Sequence, residues 1–190
     1  IQKGAIRCDL RSEIQVRGLF KHLKDRRIDL WVNSAFPFLG SDGLDFSGYQ
    51  ETEPFLRAYV LAICLASKKM SRGGKIINMS SIASHLGYPV FFAYGAAKGA
   101  VRSMTKAIAV HCQMQKYNIR CNSIHAGAIE TPMVAQANKE LGLDMSIYHQ
   151  APWGLGKPED VANLVVFLAS DESRFINGTE VLIDNALAIQ

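Results

Sequence analysis

The strongest constraint on the fold is a regular alternation of short apolar runs with longer segments of helical periodicity. Apolar runs that end in polar or turn-forming residues are typical of strands, and apolar residues at helical spacing are typical of helices. The predicted strands are 5–8, 30–33, 75–79, 120–125 and 181–184, and the predicted helices are 12–24, 53–70, 93–115 and 159–169. This order indicates an α/β, Rossmann-like fold with a doubly wound parallel sheet, in which residues 1–190 form a single domain.

Two of the predicted helices have recognisable starting residues. Ser12 can cap the first helix, and Pro158 opens the last one in the favoured first-turn position. Between these helices, residues 134–156 have only weak periodicity. Long, poorly patterned segments in compact domains are often lids, so we expect the segment from Met133 to about Trp153 to cover a binding site.

Ser81, Tyr94 and Lys98 form the candidate catalytic group. Tyr94 and Lys98 are four residues apart, so they lie on one face of the predicted helix 93–115. A free tyrosine has a pKa near ~10, and a neighbouring cation lowers that pKa and makes the phenol a usable acid/base. Ser81 follows a predicted strand end, where ligands bind in open α/β sheets, and its hydroxyl can hydrogen-bond a carbonyl oxygen. These groups suit reversible proton transfer at an alcohol or ketone.

At these residues the chain resembles a known family, the classical short-chain dehydrogenases/reductases. Within that family, 119–133 and the ending Asp184-Asn185 are similar to bacterial 3β/17β-hydroxysteroid dehydrogenases. The motifs occur in one order along nearly the whole chain: Cys8-Asp9-Leu10, 29–35, 74–81, Tyr94-Gly95-Ala96-Ala97-Lys98, 119–127, Thr131-Pro132-Met133 and Leu168-Ala169-Ser170-Asp171.

The resemblance implies a role for each matching residue. Tyr94 would be the general acid/base, Lys98 would lower its pKa and hydrogen-bond the nicotinamide ribose, and Ser81 would orient the substrate carbonyl. The cofactor would be NAD or NADP, and the substrate a small-molecule secondary alcohol or ketone, steroid-like or alicyclic. The remaining predicted cofactor contacts are Asp9 and Leu10 at the adenine, Asn33 and Ala35 along the adenosine and ribose, and Gly127, Ile129 and Thr131 at the nicotinamide.

The chain departs from the family pattern at three places. Phe36 replaces a glycine after Asn33-Ser34-Ala35, and it has neither the backbone freedom nor the small size of glycine. Phe55 occupies the position where many members carry an asparagine that supports the lysine through water. Ala126-Gly127 replaces the family's Pro-Gly. Of these, Phe36 and Phe55 bear most directly on activity.

The usual start of a dinucleotide-binding fold is not found ahead of Asp9. Such folds begin with a strand, a Gly-rich turn and a helix whose N-terminus holds the pyrophosphate. Relative to the family, two β-α units are missing, roughly 60 residues at ~30 per unit. We therefore expect an incomplete N-terminal part, an upstream segment beyond the printed sequence, exposed apolar sheet edges, and no stable, competent enzyme from these 190 residues alone.

Composition excludes several other classes. The net charge of +4 over 190 residues is small, which argues against a nucleic-acid partner. The longest apolar run, 59–66, is too short to cross a bilayer, so no membrane association is predicted. The four cysteines form no C-x-x-C pair, so we predict reduced thiols, a cytoplasmic protein and no metal site.

Two alternatives stay open at this stage. The helix 93–115 is rich in small residues, and these permit close packing either on the sheet or on a partner subunit in a homo-oligomer, a dimer or tetramer. The protein is either an NAD(P)-dependent dehydrogenase or a catalytically weakened family member that binds a ligand or partner through the retained fold.

Overall fold

A parallel sheet of four strands forms the centre of the described structure. The computed structural model describes residues 5–37, 44, 46–150, 152 and 154–189. Neighbouring strands are parallel in the order β1-β2-β3-β4. The strands are β1 Ile28–Asn33, β2 Met70–Ser81, β3 Arg120–Ala126 and β4 Glu180–Ile183. The helices are α1 Glu13–His22, α2 Phe46–Ser67, α3 Phe92–Met114, α4 Pro132–Glu140, α5 Ser146–Gln150 and α6 Pro158–Ala169.

Helices cover both faces of this sheet, which confirms the predicted α/β class. Ile76 on β2 packs with residues of α2 and α3 on one face. Ile77, the next residue, packs with Leu168 of α6 on the other face. Side chains alternate along a strand, so adjacent isoleucines serve opposite cores, and each contributes roughly 1.5–3 kcal/mol by burial. Among the described residues, no helix combines the length and the apolar character needed to cross a membrane.

Most of the predicted elements are present. Ser12 caps α1 by accepting a hydrogen bond from the Gln15 amide, and Pro158 opens α6 as predicted. The weakly patterned segment contains α4 and α5, which the sequence did not predict. Residues 38–43 and 45, and residues 151 and 153 of the predicted lid, lie outside the described residues.

The predicted strand 5–8 is wrong. These residues form no strand, and β1 is the last described strand on that side of the sheet. Cys8 and Leu10 pack instead against Val16 and Phe20 of α1. At the same edge, Leu30 and Val32 are 40% and 36% exposed, as expected for an apolar strand without an outer neighbour.

The predicted helix 53–70 is wrong at both ends. Helix α2 begins at Phe46, eight residues before Pro54, and ends at Ser67. Met70 belongs to β2, where it pairs with Ile28. Pairing shifts between Ile28 and Leu30, and Gly73 in this irregular part of β2 has φ +88°, a conformation that favours glycine. Gly73 and Gly74 therefore lie inside β2, and not before the strand as its predicted start at residue 75 implied.

Strand register brings the candidate site residues to one edge. Asn33 pairs with Asn78, Ser81 pairs with Ala126, and Ala126 pairs with Ile183. Since the strands are parallel, their carboxyl ends share this edge, which is where ligands bind in open α/β sheets.

Candidate active site

Ser81 ends β2 and caps the short 3₁₀ turn Ile82–Ser84. Its Oγ accepts a hydrogen bond from the Ala83 amide at 3.2 Å, and Ser84 Oγ donates to the Ser81 carbonyl at 2.7 Å. These contacts hold the serine at the strand end. The hydroxyl proton of Ser81 takes part in neither of them.

Tyr94 lies in the first turn of α3. Burial raises the pKa of Tyr94 above its ordinary value, and a hydrogen bond from the Ser81 side chain opposes this rise. The Ser81 side chain therefore acts on the Tyr94 phenol. A phenol and a hydroxyl that share one site can both hydrogen-bond a carbonyl oxygen.

Lys98 lies one helical turn beyond Tyr94 and is only 3% exposed. Its Nζ donates to the Met79 carbonyl oxygen on β2 at 2.9 Å, while Ser80 Oγ donates to the Lys98 carbonyl oxygen at 3.0 Å. Burial lowers the pKa of Lys98 to about 7, because the charged form loses its hydration. These two hydrogen bonds connect helix α3 to strand β2 at the candidate site.

The expected lowering of the Tyr94 pKa by Lys98 is not found in this arrangement. Burial is the largest influence on Tyr94, and the opposing influence is Ser81. Lys98 is itself driven towards the neutral amine, and its Nζ is directed to a backbone carbonyl rather than to the phenol oxygen. A neutral amine stabilises a phenolate less than an ammonium does.

Three aromatic rings surround the Lys98 amine, and we call them the aromatic cage. Nζ lies 4.3 Å from the ring centroid of Phe36, 5.5 Å from that of Tyr94 and 5.6 Å from that of Tyr59. Phe55, flagged in the sequence, packs behind Phe36 with ring centroids 5.8 Å apart. Both aromatic departures from the family pattern therefore lie at or next to Lys98.

Asn33 belongs to a buried hydrogen-bond network at the end of β1. Its Nδ2 donates to Asn78 Oδ1 at 2.7 Å, and its Oδ1 accepts from Trp31 Nε1 at 2.7 Å. Its carbonyl oxygen accepts from the Tyr59 hydroxyl at 3.0 Å. Ala35, two residues further, is exposed. The two residues lie at the predicted edge, and their contact with a nucleotide stays a prediction.

Gly127, Ile129 and Thr131 follow β3 at the same edge. A Cβ on Gly127 would lie 2.8 Å from Cβ of Asp184, so close packing explains the glycine. Ile129 is buried and pairs with Gly156. Thr131 caps α4 by accepting from the Val134 amide, so this side chain has a structural role beside any role in binding.

Asp9 and Leu10 are not brought together with the catalytic group by any described contact. The Asp9 carboxylate pairs with Arg11, with Oδ2 3.0 Å from Nη2, and hydrogen bonds from Arg11 lower its pKa. Leu10 packs in the cluster around Val16 and Phe20. Their predicted place against the adenine remains untested.

A group that the sequence did not predict lies beside the Ser81 turn, and we call it the histidine cluster: His85, His125 and Glu180. His85 Nε2 lies 3.0 Å from His125 Nδ1 and 3.4 Å from Glu180 Oε2. Donor atoms at such spacing suit a metal ion. Arg102 Nε, 2.6 Å from Glu180 Oε2, and Lys106 already neutralise the carboxylate, so added positive charge is disfavoured.

The histidine cluster also supports the Ser81 turn. Ser84 has one hydroxyl proton, which goes to the Ser81 carbonyl, so its 2.8 Å contact with His125 Nδ1 places the proton on Nδ1. Ser123 Oγ lies 2.8 Å from the other ring nitrogen, Nε2. No local motif marks this cluster, because its members come from three separate parts of the chain.

A cavity of about 610 Å³ opens at the opposite edge of the sheet, where β2 begins. Its walls include Met70, His111 and Tyr117, and it contains none of the predicted site residues. Ligands of open α/β sheets bind at the carboxyl edge, so strand direction and the location of Ser81 argue for the other end.

Comparisons with known proteins identify the family of this chain. The family model described as enoyl-(acyl carrier protein) reductase matches residues 1–187. The NADP-dependent (R)-specific alcohol dehydrogenase of Lentilactobacillus kefiri is 42% identical over 126 residues, 65% of this chain and 49% of the relative. The 3-beta-hydroxysteroid dehydrogenase of Comamonas testosteroni is 42% identical over 119 residues, 60% and 47% respectively. The chain thus spans about half the length of these relatives.

The solved structures give the same result. The aldohexose dehydrogenase of Thermoplasma acidophilum, in ligand-free form, superimposes with a TM-score of 0.89 at 29% identity, covering 100% of this chain and 80% of that one. The parallel sheet, the serine at a strand end and the Tyr-x-x-x-Lys helix are accounted for by one family assignment. The chain belongs to the short-chain dehydrogenase/reductase family.

Proposed function

We propose that the protein is an NAD(P)-dependent oxidoreductase that interconverts a secondary alcohol and a ketone of steroid-like or alicyclic type. The observation that carries this proposal is the grouping of Ser81, whose side chain acts on the Tyr94 phenol, with the buried Lys98 at the carboxyl edge of the sheet. A protein that only bound a ligand would not need an acid/base tyrosine between a hydroxyl donor and an amine.

In the reductive direction, Tyr94 gives its phenolic proton to the substrate carbonyl oxygen, which becomes the alcohol hydroxyl. Ser81 hydrogen-bonds the same oxygen as negative charge develops on it. Lys98 stabilises the phenolate left on Tyr94 when the amine is protonated. A bound nicotinamide nucleotide supplies the hydride in this direction and accepts it in the other.

The chemistry of the residues fits such a nucleotide. Lys98 is a buried donor with more than one N–H group, and the Met79 carbonyl accepts one of them. A ribose hydroxyl is a suitable acceptor for another. The remaining contacts with the nucleotide would come from residues that border the same edge: Asn33, Ala35, Gly127, Ile129 and Thr131. The named activities of the relatives, alcohol and 3-beta-hydroxysteroid dehydrogenation, point to the same substrate class.

The direct test is titration with NADH and NADPH, followed by turnover on a panel of cyclic ketones. We expect Tyr94→Phe to lower kcat/KM by at least about 100-fold, since removal of a general acid/base typically costs that much. Tyr117→Phe is the matched control because that tyrosine is 46% exposed on the surface. Nucleotide binding without turnover, together with no effect of Tyr94→Phe, would contradict the assignment.

A second candidate is a catalytically weakened member of the family that binds a ligand or partner. The cage around Lys98 favours it, because Phe36 covers the amine and burial raises the pKa of Tyr94. The same experiment decides between the two, since this candidate binds ketones or nucleotides and turns none over.

The proposal extends to a cytoplasmic homo-oligomer, a dimer or tetramer. Small residues on α3 support it: a Cβ on Gly99 would meet no atom within 4 Å, and Ala96 is exposed. Light scattering of the purified protein, compared with Gly99→Glu, tests the oligomer. A mass of one chain for both proteins would reject it.

A further inference from the structure

Phe36 follows β1 and ends inside the protein. It is 5% exposed, and its ring lies 5.9 Å from that of Tyr59 and 5.8 Å from that of Tyr94 in edge-on contacts. Phe55 packs against it from α2. Contacts on several sides define one buried location for the ring, between helix α2 and the start of helix α3.

The face of this ring is directed at the Lys98 amine. Phe36 is the nearest of the three cage rings, with its centroid 4.3 Å from Nζ. Among the ion pairs of the described residues, none includes Lys98. The described partners of the amine are therefore one carbonyl oxygen, from Met79, and three aromatic rings.

We propose that Phe36 is a lid on Lys98, which must turn away before the amine can hydrogen-bond the ribose of a nicotinamide nucleotide. This inference rests on the proposed function. A ribose hydroxyl needs a direct approach to Nζ, and the face of the Phe36 ring already covers the amine at 4.3 Å. Phe36 therefore acts through Lys98 and is a positioning residue.

The lid has two measurable consequences. A nucleotide that binds only the open form has its affinity reduced by the fraction of open molecules, so removing the ring should tighten binding. A small reagent must reach Nζ past the same ring. The pKa of Lys98, about 7, leaves much of the amine neutral and nucleophilic at pH 8, so access rather than protonation limits its reaction.

The experiment compares the wild-type protein with Phe36→Ala and with Phe55→Ala as the matched control. Phe55 makes a similar ring contact within the same packing but is not one of the rings over the amine. Lys98 is labelled with acetic anhydride at pH 8 and quantified by peptide mass spectrometry. We expect about ten-fold faster labelling in Phe36→Ala and less than about three-fold in the control.

Fluorescence titration with NADH and NADPH forms the second arm. We expect Phe36→Ala to tighten binding about ten-fold relative to wild type. Equal or weaker binding by Phe36→Ala overturns the lid, since the ring is then either irrelevant to the site or part of the binding surface. Equal labelling in both alanine variants also overturns it, because loosened packing would then explain the access.

The two arms separate the lid from the proposed function. Faster labelling of Lys98 in Phe36→Ala without nucleotide binding by any variant rejects the oxidoreductase and leaves the lid as a cover on the amine. If Phe36→Ala does not fold, judged by circular dichroism, Phe36→Leu replaces it. That variant keeps apolar bulk without the flat ring, and labelling less than three-fold faster than wild type then overturns the proposal.

Discussion

Lys98 and His125 are both basic side chains withdrawn from water, and their surroundings differ. Lys98 has one carbonyl partner and an aromatic cage, with no described ion pair. His125 is 0% exposed, and each ring nitrogen meets a serine hydroxyl at 2.8 Å. Burial is the largest cause of the lowered pKa in both, to about 7 for Lys98 and about 4 for His125.

The difference shows that a shifted pKa alone does not identify a reactive group. The ring nitrogens of His125 are saturated with hydrogen bonds, so the imidazole supports the Ser81 turn and has no capacity left for a substrate. Lys98 retains N–H groups that no described carboxylate satisfies. Such incomplete partnership, together with a place at the carboxyl edge of the sheet, is what favours a functional role for the lysine.

The largest effect is expected for Lys98→Met. The ordinary lysine pKa is 10.5 and the folded value about 7, so between these pH values the unfolded chain binds more protons and stability rises with pH. Methionine removes this cost, so we expect the free energy of unfolding at pH 7 to rise by roughly 3–5 kcal/mol. Urea unfolding of both proteins at pH 7 and pH 10 measures this difference in the free energy of unfolding, which should be smaller at pH 10.

Activity should move in the opposite direction. The same substitution removes the amine that stabilises the Tyr94 phenolate, so ketone reduction should fall by at least about 100-fold. Lys139→Met, on the exposed end of α4, is the control and should change neither quantity. A Lys98→Met protein less stable than wild type would contradict the contrast drawn between Lys98 and His125. The lysine would then be a structural residue whose partners compensate for its burial.

The second effect concerns acid. The ordinary histidine pKa of 6.5 is lowered to about 4 in His125, by burial first and then by the neighbouring His85 charge, while Glu180 opposes the shift. Stability from the neutral ring is present above pH 6.5 and is lost as the pH falls towards 4. We expect a loss of about 3 kcal/mol over that range.

His125→Asn tests this dependence. The asparagine amide can still donate to Ser84 Oγ, and it does not titrate, so most of the acid sensitivity should disappear. Urea unfolding at pH 6.5 and pH 4.5 gives the comparison, with the exposed His111→Asn as the control. An unchanged acid dependence in His125→Asn would mean that another group causes the loss of stability in acid. His85 would be the next residue to replace.

How much of the fold and of the candidate site could be predicted depends on how far apart in the sequence the interacting residues lie. Strand β3 and helices α3 and α6 follow local periodicity, and the sequence predicted them within one residue at each end, whereas β2 begins five residues before its predicted start. Tyr94 and Lys98 share a face because of helical spacing alone. Ser81 could be predicted at the site because the end of a parallel strand fixes its edge. The family assignment follows from the same ordered motifs.

The failures involve partners far away in the sequence. Residues 5–8 have an apolar pattern, but a strand also needs a neighbour to pair with. The burial of Phe36 over Lys98 joins residues 62 positions apart, so the sequence could show the unusual residue and not its contact. Glu180 meets Arg102 and His85 only because β4 lies beside β3 and under α3. Such contacts carry no local periodicity.

The smallest effect is expected for Glu180→Gln, and it tests whether the two regions are independent. Hydrogen bonds from Lys106 and Arg102 hold the pKa of Glu180 low although burial raises it, so its contribution is present above pH 4.5 and lost in acid. Arg102 and Lys106 are 37% and 55% exposed and can turn to water, so we expect a loss of only about 1 kcal/mol at pH 7. Labelling of Lys98 should stay at the wild-type rate. A faster rate would show that the ion pairs of Glu180 also hold the aromatic cage closed, since Arg102 lies one turn of α3 beyond Lys98, and the two clusters would then be one unit.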